Sequence, residues 1–297
     1  MKPTFLLCGG IGWCATNPLR HTIKDVCNVG LLRESHYLKM LCGRGDKQAM
    51  LAHIRKWEGL GNPKQAKPVK DWLRQPVSLD SYITYYKNLY NQTDIPTIGD
   101  GSNSNYDLPE DFLQDTISKL KEHFDVRAYM IFRDPVRRAW SHINHQYFGM
   151  RYFDVTNKIR RKNKSFEQFL NSELPLCEST RYIQNLEKFQ RHIPTLPIVM
   201  EELWEGDSDS ELELLSSFIG HPVTELYENV YSPDKGIHKD MSNYRLNDQW
   251  GSDHLELTPE VYYQIKNILQ PTYDAWQNKF GSLPLYWGKP IDYSANV

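Results

Sequence analysis

Val126-Arg127-Ala128-Tyr129-Met130-Ile131-Phe132-Arg133-Asp134-Pro135-Val136-Arg137-Arg138-Ala139-Trp140-Ser141 is the stretch that decides the fold. Val126 to Phe132 is apolar except for Arg127 and reads as a buried strand. Asp134-Pro135 breaks the strand, and a helical pattern begins at Val136. Arg133 therefore stands at the carboxyl end of a strand, and Ser141 stands two turns into the following helix. Open α/β sheets bind ligands at the carboxyl ends of their strands. A fork of guanidinium donors there, with a hydroxyl from the next helix, suits a phosphate monoester. The plain alternative is an arginine that caps the strand and pairs with Asp134.

Working outward, the chain opens with Phe5-Leu6-Leu7-Cys8-Gly9-Gly10-Ile11-Gly12-Trp13-Cys14-Ala15-Thr16-Asn17-Pro18-Leu19, which reads as strand, glycine-rich turn and helix. Glycines let backbone N–H groups approach an anion, and a helix start adds favourable partial charge. Thr16 and Asn17 would add side-chain donors, and Pro18 suits a first helical turn. No Gly-Lys-Ser/Thr follows, so this is not a Walker loop. The plain alternative is a tight connection.

Together the two segments resemble the sulfotransferase family, which uses 3′-phosphoadenosine 5′-phosphosulfate (PAPS). That family's first loop, K-x-G-T-T-x-L, holds the 5′-phosphosulfate, and Trp13-Cys14-Ala15-Thr16-Asn17-Pro18-Leu19 occupies its place after Gly12. Its second signature, R-D-P-x-x-R-A-x-S, binds the 3′-phosphate and runs intact from Arg133 to Ser141. Arg33-Glu34-Ser35-His36-Tyr37-Leu38 resembles K-E-x-H-F-F, whose Glu is the base in heparan-type members. Gly99-Asp100-Gly101-Ser102-Asn103 through Tyr106 resembles G-E-K-S/T-P-x-Y with one extra residue. Ser179-Thr180-Arg181-Tyr182 through Glu201-Glu202-Leu203 resembles S-x-Y-x-x-x-L followed by a strand ending in E-x-L.

The resemblance spans almost the whole chain, and the ordered set persuades more than any motif alone. It implies a P-loop NTPase-like α/β architecture, a parallel sheet with helices on both faces, in a single domain over 1–297. It implies sulfuryl transfer from PAPS to a hydroxyl or amine acceptor, carbohydrate first. Arg133 and Ser141, with Tyr182, would serve the nucleotide at its 3′ side. Glu34 would take the acceptor's proton, with His36 orienting it or acting as base itself. Two family cations are missing: Trp13 and Gly101 stand where lysines are expected. Arg20, Lys24 and Arg33 are nearby substitutes in sequence. Lys235 and Lys239, in a stretch similar to a basic loop that closes over PAPS, are others.

Composition narrows the classes. The chain has 297 residues, with 35 Lys+Arg against 37 Asp+Glu, a near-neutral balance that argues against a general nucleic-acid binder. Eight Trp and eighteen Tyr supply material for a sizeable core. Cys8, Cys14, Cys27, Cys42 and Cys177 have neither metal spacing nor an even framework, which suits a reduced, cytoplasmic setting with no metal. No stretch reads as a signal peptide or a membrane span, so no membrane partner is expected.

Periodicity predicts strands at Thr4 to Cys8, Thr97 to Asp100 and Pro197 to Glu201, and a short one at Gly30 to Leu32. It predicts helices over Pro18 to Asn28, Asp46 to Leu60, Ser78 to Leu89, Pro109 to Glu122, Phe166 to Asn171, Thr180 to His192, Ser210 to Ile219 and Pro259 to Phe280. Pro271 is expected to kink the last. Tyr82, Tyr85, Tyr86 and Tyr90 form either a core face or an acceptor groove. The basic run Lys158 to Lys164 is either a solvated face or a surface for an acidic polymer. Two rival functions stay open: a nucleotide kinase or NTPase, and a non-catalytic PAPS-binding protein on the same scaffold. Binding of ATP over PAPS would favour the first, and absence of turnover the second.

Overall fold

The computed structural model describes residues 2–12, 14, 16–29, 36–45, 76–148, 181–227 and 257–289. The predicted elements at Gly30 to Leu32, Asp46 to Leu60 and Phe166 to Asn171, and the basic run from Lys158, lie outside them.

Among the described residues, five parallel strands form one sheet in the order β2-β3-β1-β4-β5. β1 is Thr4–Cys8, β2 Cys27–Asn28, β3 Thr97–Asp100, β4 Asp125–Phe132 and β5 Thr195–Val199. β1 lies between β3 and β4, with Leu7 opposite Asp100 and Cys8 opposite Tyr129. Phe5, Leu6, Leu7 and Cys8 are consecutive and all essentially buried. Side chains alternate faces along a strand, so both faces of the sheet are covered, as parallel sheets require. Gly99 is needed where β3 meets β1, because a Cβ there would land on the Leu6 carbonyl oxygen.

The helices are α1 Thr16–Thr22, α2 Tyr37–Leu41, α3 Leu79–Asn91, α4 Glu110–His123, α5 Pro135–Phe148, α6 Tyr182–Gln190, α7 Met200–Glu205, α8 Ser208–Ile219 and α9 Pro259–Phe280. Local chemistry sets several ends. Ser78 caps α3 by accepting from the Ser81 N–H, and Thr258 caps α9 by accepting from Val261. Gly220 and Gly281, at φ 86° and 82°, close α8 and α9 in the left-handed region. α9 runs through Pro271 as one helix.

Two boundaries differ from expectation. The helix predicted over Pro18 to Asn28 stops at Thr22. A turn closes it, with the Cys27 N–H donating to the Ile23 carbonyl at 2.7 Å. Cys27 then pairs with Thr97 as edge strand β2. Ladder pairing outweighs helix propensity in a segment holding Thr22, Ile23 and Val26. The strand predicted to end at Glu201 ends at Val199, and Glu201 sits in the first turn of α7.

The chain gathers into two compact units. One comprises Met1–Ile131, Asn185–Ile198 and Asp209–Glu225 and carries nearly all of the sheet. The other comprises Phe132–Gln184, Val199–Ser208 and Leu226–Val297 and contains α5, α7 and α9. In the first, Phe5 contacts Tyr86 at 4.9 Å, and Tyr82 and Tyr86 are fully buried. Those two tyrosines of α3 are therefore core residues. In the second, Phe132, Tyr182, Trp276 and Trp287 form an aromatic cluster with ring centroids 4.5–6.5 Å apart. No described helix is long and apolar enough to cross a membrane.

Candidate active site

Two strand ends carry the predicted residues, one in each unit. The first follows β4. Arg133 is half-buried, and its Nε is buried without a hydrogen-bond partner among the described residues. Its carbonyl accepts the Tyr182 hydroxyl at 2.8 Å. Tyr182, a nucleotide candidate by sequence, thus has its ring in the aromatic cluster and its hydroxyl on the backbone of Arg133.

Asp134 is fully buried and organises the corner. Its Oδ1 accepts from the Arg137 N–H at 3.0 Å, capping α5. Its Oδ2 accepts from the Tyr273 hydroxyl at 2.9 Å, the Gly288 N–H at 2.8 Å and the Tyr262 hydroxyl at 3.3 Å. Its own N–H donates to Glu201 Oε1 at 2.9 Å. Glu201 is also fully buried and accepts the Trp287 indole N–H at 3.0 Å on its other oxygen. The Arg137 guanidinium lies 3.9 Å from Glu201. Burial pushes the Glu201 carboxyl above its ordinary value, against the opposing pull of Arg133 and of the Asp134 N–H. The E-x-L glutamate therefore supports the R-D-P corner, a role no motif spacing announces. Arg138 is fully buried, and Ser141 is half-buried in the second turn of α5.

The second strand end follows β3. Asp100 is buried; its Oδ2 accepts the Tyr82 hydroxyl at 2.7 Å, and its Oδ1 accepts the Ser102 N–H at 2.8 Å. Burial first, and the Asp100 charge second, push the Tyr82 hydroxyl well above its ordinary value. Asp100 thereby caps the loop that follows β3. Asn105, buried in the same loop, donates to the Cys8 carbonyl at 3.1 Å and ties the loop to the end of β1. His36 is drawn in as well: its N–H donates to Ser102 Oγ at 3.0 Å, and its Nδ1 lies 2.6 Å from Ser104 Oγ.

The glycine turn after β1 has two kinds of glycine. A Cβ at Gly9 would sit 2.9 Å from Met130 and 3.1 Å from Phe189, so packing alone demands that glycine. A Cβ at Gly12 would meet only the Asn103 amide, at 3.6 Å, so packing does not demand it there. Thr16 and Asn17 open α1, and Cys14 and Thr16 are buried. Of the substitute cations, Arg20 is buried in α1 and Lys24 is exposed. Trp13, Ala15, Arg33, Glu34, Lys235 and Lys239 lie outside the described residues. The described residues contain no cluster of His, Cys, Asp and Glu that would hold a metal ion.

No family model matches the chain, and no curated protein matches it. Among solved structures, a sulfotransferase from Alicyclobacillus acidocaldarius is similar over 97% of this chain and 100% of that one, with a TM-score of 0.56 and 15% identity. That likeness establishes a shared fold, an α/β architecture around a parallel sheet.

Proposed function

We propose that this chain transfers a sulfuryl group from PAPS to a hydroxyl or amine acceptor, with carbohydrate as the first acceptor class to screen. The observation that carries the reading is the corner after β4: Arg133 keeps a buried Nε–H without an acceptor among the described residues, while Glu201 and Asp134 fix the backbone that follows it. A donor left over in a rigid corner suits a phosphate oxygen. The shared fold with a sulfotransferase supports the same reading, and the ordered motifs support it independently of the fold.

In this reading PAPS supplies the transferable SO3 group. Arg133 and Ser141 bind its 3′-phosphate, with Tyr182 setting the Arg133 backbone. Gly12, Trp13, Cys14, Ala15, Thr16 and Asn17 surround the 5′ end, with backbone N–H groups and the Thr16 hydroxyl as donors. Glu34 takes the acceptor's proton, with His36 beside it to orient it or to act as the base itself. Lys235 and Lys239 supply charge that Trp13 and Gly101 do not. The protein works as a cytoplasmic enzyme, without metal, nucleic acid or membrane.

Calorimetry with 3′-phosphoadenosine 5′-phosphate and with AMP tests the nucleotide site. Tight binding of the first and much weaker binding of the second is expected, because only the first carries the 3′-phosphate. Equal affinity would remove the assignment. A labelled-PAPS screen over sugars and phenols then separates an enzyme from a binding protein that keeps the nucleotide site alone. Trp13 in place of lysine gives that second reading its specific support.

A further inference from the structure

His36 is the one non-glycine residue with positive φ among the described residues, at φ 46° and ψ 21°. Left-handed backbone costs a side-chain-bearing residue roughly 1–2 kcal/mol, so something must hold it there. A closed circuit of contacts does so. The His36 N–H donates to Ser102 Oγ at 3.0 Å, and the Ser102 N–H donates to Asp100 at 2.8 Å. Asp100 accepts the Tyr82 hydroxyl at 2.7 Å, and the Tyr82 ring stacks on Tyr37 at 5.6 Å. Tyr37 follows His36 in the chain, and its hydroxyl accepts from the Ser78 N–H at 3.1 Å. The circuit fixes the backbone of His36 from both sides. The ring is then fixed at one nitrogen, with Nδ1 2.6 Å from Ser104 Oγ.

We infer that Ser104 is a positioning residue: its hydroxyl oxygen accepts the Nδ1–H of His36, which makes Nε2 the basic nitrogen, while Ser102 holds the backbone that aims the ring. The hydrogen bond at one imidazole nitrogen decides which nitrogen can take a proton. An imidazole in water favours the opposite tautomer, with the proton on Nε2, in which the outer nitrogen could not serve as a base. The left-handed backbone, the Ser102 bond and the Ser104 contact together describe a ring held for use rather than a solvated histidine. That use rests on the proposed sulfuryl transfer, in the reading where His36 itself takes the acceptor's proton.

The test uses the full-length protein labelled with nitrogen-15 and long-range proton–nitrogen correlation spectra, recorded above the pH at which imidazole titrates. His36 is assigned by the signal lost in His36→Gln. The Nδ1–H tautomer is expected in wild type, the Nε2–H tautomer in Ser104→Ala, and a return to Nδ1–H in Ser104→Thr. A wild-type His36 in the Nε2–H form overturns the inference without any variant; an unchanged tautomer in Ser104→Ala overturns it too. With an acceptor in hand, Ser104→Ala should lower kcat by about tenfold, part of the 10²–10⁴ a positioned base supplies, and leave the KM for PAPS nearly unchanged. A loss confined to KM would count against the positioning role. A wild type that transfers sulfate to nothing would sink the sulfuryl-transfer reading, and the tautomer result would still decide the Ser104 claim.

Discussion

Two aspartates end neighbouring parts of the same sequence logic, and they are held in opposite ways. Asp100 follows β3 and Asp134 follows β4; each is buried, each takes a tyrosine hydroxyl, and each takes a backbone N–H two or three residues on. Asp100 accepts from neutral groups, the Tyr82 hydroxyl and the Ser102 N–H. At Asp134 the corner also contains a second buried carboxylate, Glu201, and the guanidinium of Arg137. A corner full of charge fixes an arginine, suited to an anion. A corner of hydroxyls fixes a histidine, suited to a proton. In both, the motif's carboxylate serves as scaffold for its neighbours.

The largest expected effect tests that contrast directly. Asp134→Ala leaves four donors without their acceptor: Arg137 N–H, Tyr273 and Tyr262 hydroxyls, and Gly288 N–H. Breaking a buried, fully bonded carboxylate site costs about 3–5 kcal/mol. Asp100→Ala removes an acceptor from the Tyr82 hydroxyl and from the Ser102 N–H, and should cost about 2–3 kcal/mol. Urea unfolding of both variants measures the pair. Equal losses would mean that the corner at Asp134 is no more tightly built than the one at Asp100.

Much of this frame was legible, and the missing part has a physical reason. Strands β1 and β3 lie where alternation and apolar runs put them, and β4 begins one residue before its predicted start. Helix α9 starts and ends as predicted, because its Thr258 cap and Gly281 stop are local signals. What failed depended on distant partners. Cys27 became strand only because β3 was available to pair with it. Glu201 was read as the end of a strand, yet its place is set by an Asp134 N–H 67 residues earlier in the chain. Sequence singled out Arg133 and His36 as site residues; Ser104, Glu201 and Gly288 carry no spacing that would link them to either.

A smaller effect sharpens the claim that the charged corner serves an anion. Arg133→Ala should weaken 3′-phosphoadenosine 5′-phosphate binding by about 1.5–3 kcal/mol and leave AMP binding nearly unchanged. Folding should change little, because the Arg133 contact holding the corner is its backbone carbonyl on Tyr182, which the variant keeps. Calorimetry beside a melting curve reads both. Loss of stability with unchanged nucleotide affinity would move Arg133 from the site to the scaffold.

Glu201 adds a pH signature to the same corner. Burial raises its folded-state pKa above the ordinary value, so the native protein holds this proton more tightly than the unfolded chain. Its contribution is therefore fully present below the unfolded pKa and is lost as pH rises through the raised value. Half-buried Glu202 is shifted the same way by burial and adds to the slope. Glu201→Gln should flatten part of that decline, leaving the share from Glu202. It should also cost about 1–3 kcal/mol at low pH, since an amide cannot accept from both the Asp134 N–H and the Trp287 indole. Unfolding free energies measured from the ordinary glutamate value upward give the slope. An unchanged slope would show that the buried carboxyl is not the titrating group.

The smallest effect reverses the ranking of the two corners, which makes it the finest test of how they differ. Tyr273→Phe removes one hydroxyl from Asp134 Oδ2, and that oxygen keeps the Gly288 N–H at 2.8 Å and the Tyr262 hydroxyl at 3.3 Å. Redundant donors cover the loss, so the cost should be only about 1 kcal/mol. Tyr82→Phe removes the 2.7 Å bond to Asp100 and opens the circuit that holds His36 in its left-handed backbone. A bond to a buried charge is worth about 1.5–3 kcal/mol, and its loss should lie in that range. The ring-on-ring contact with Tyr37 survives in the phenylalanine, so any change in His36 must travel through Asp100 and Ser102. Unfolding curves give the two costs, and the His36 nitrogen shifts report whether the circuit transmits the loss. If Tyr273→Phe proves the costlier change, redundancy at Asp134 is illusory and the charged corner depends on each of its donors.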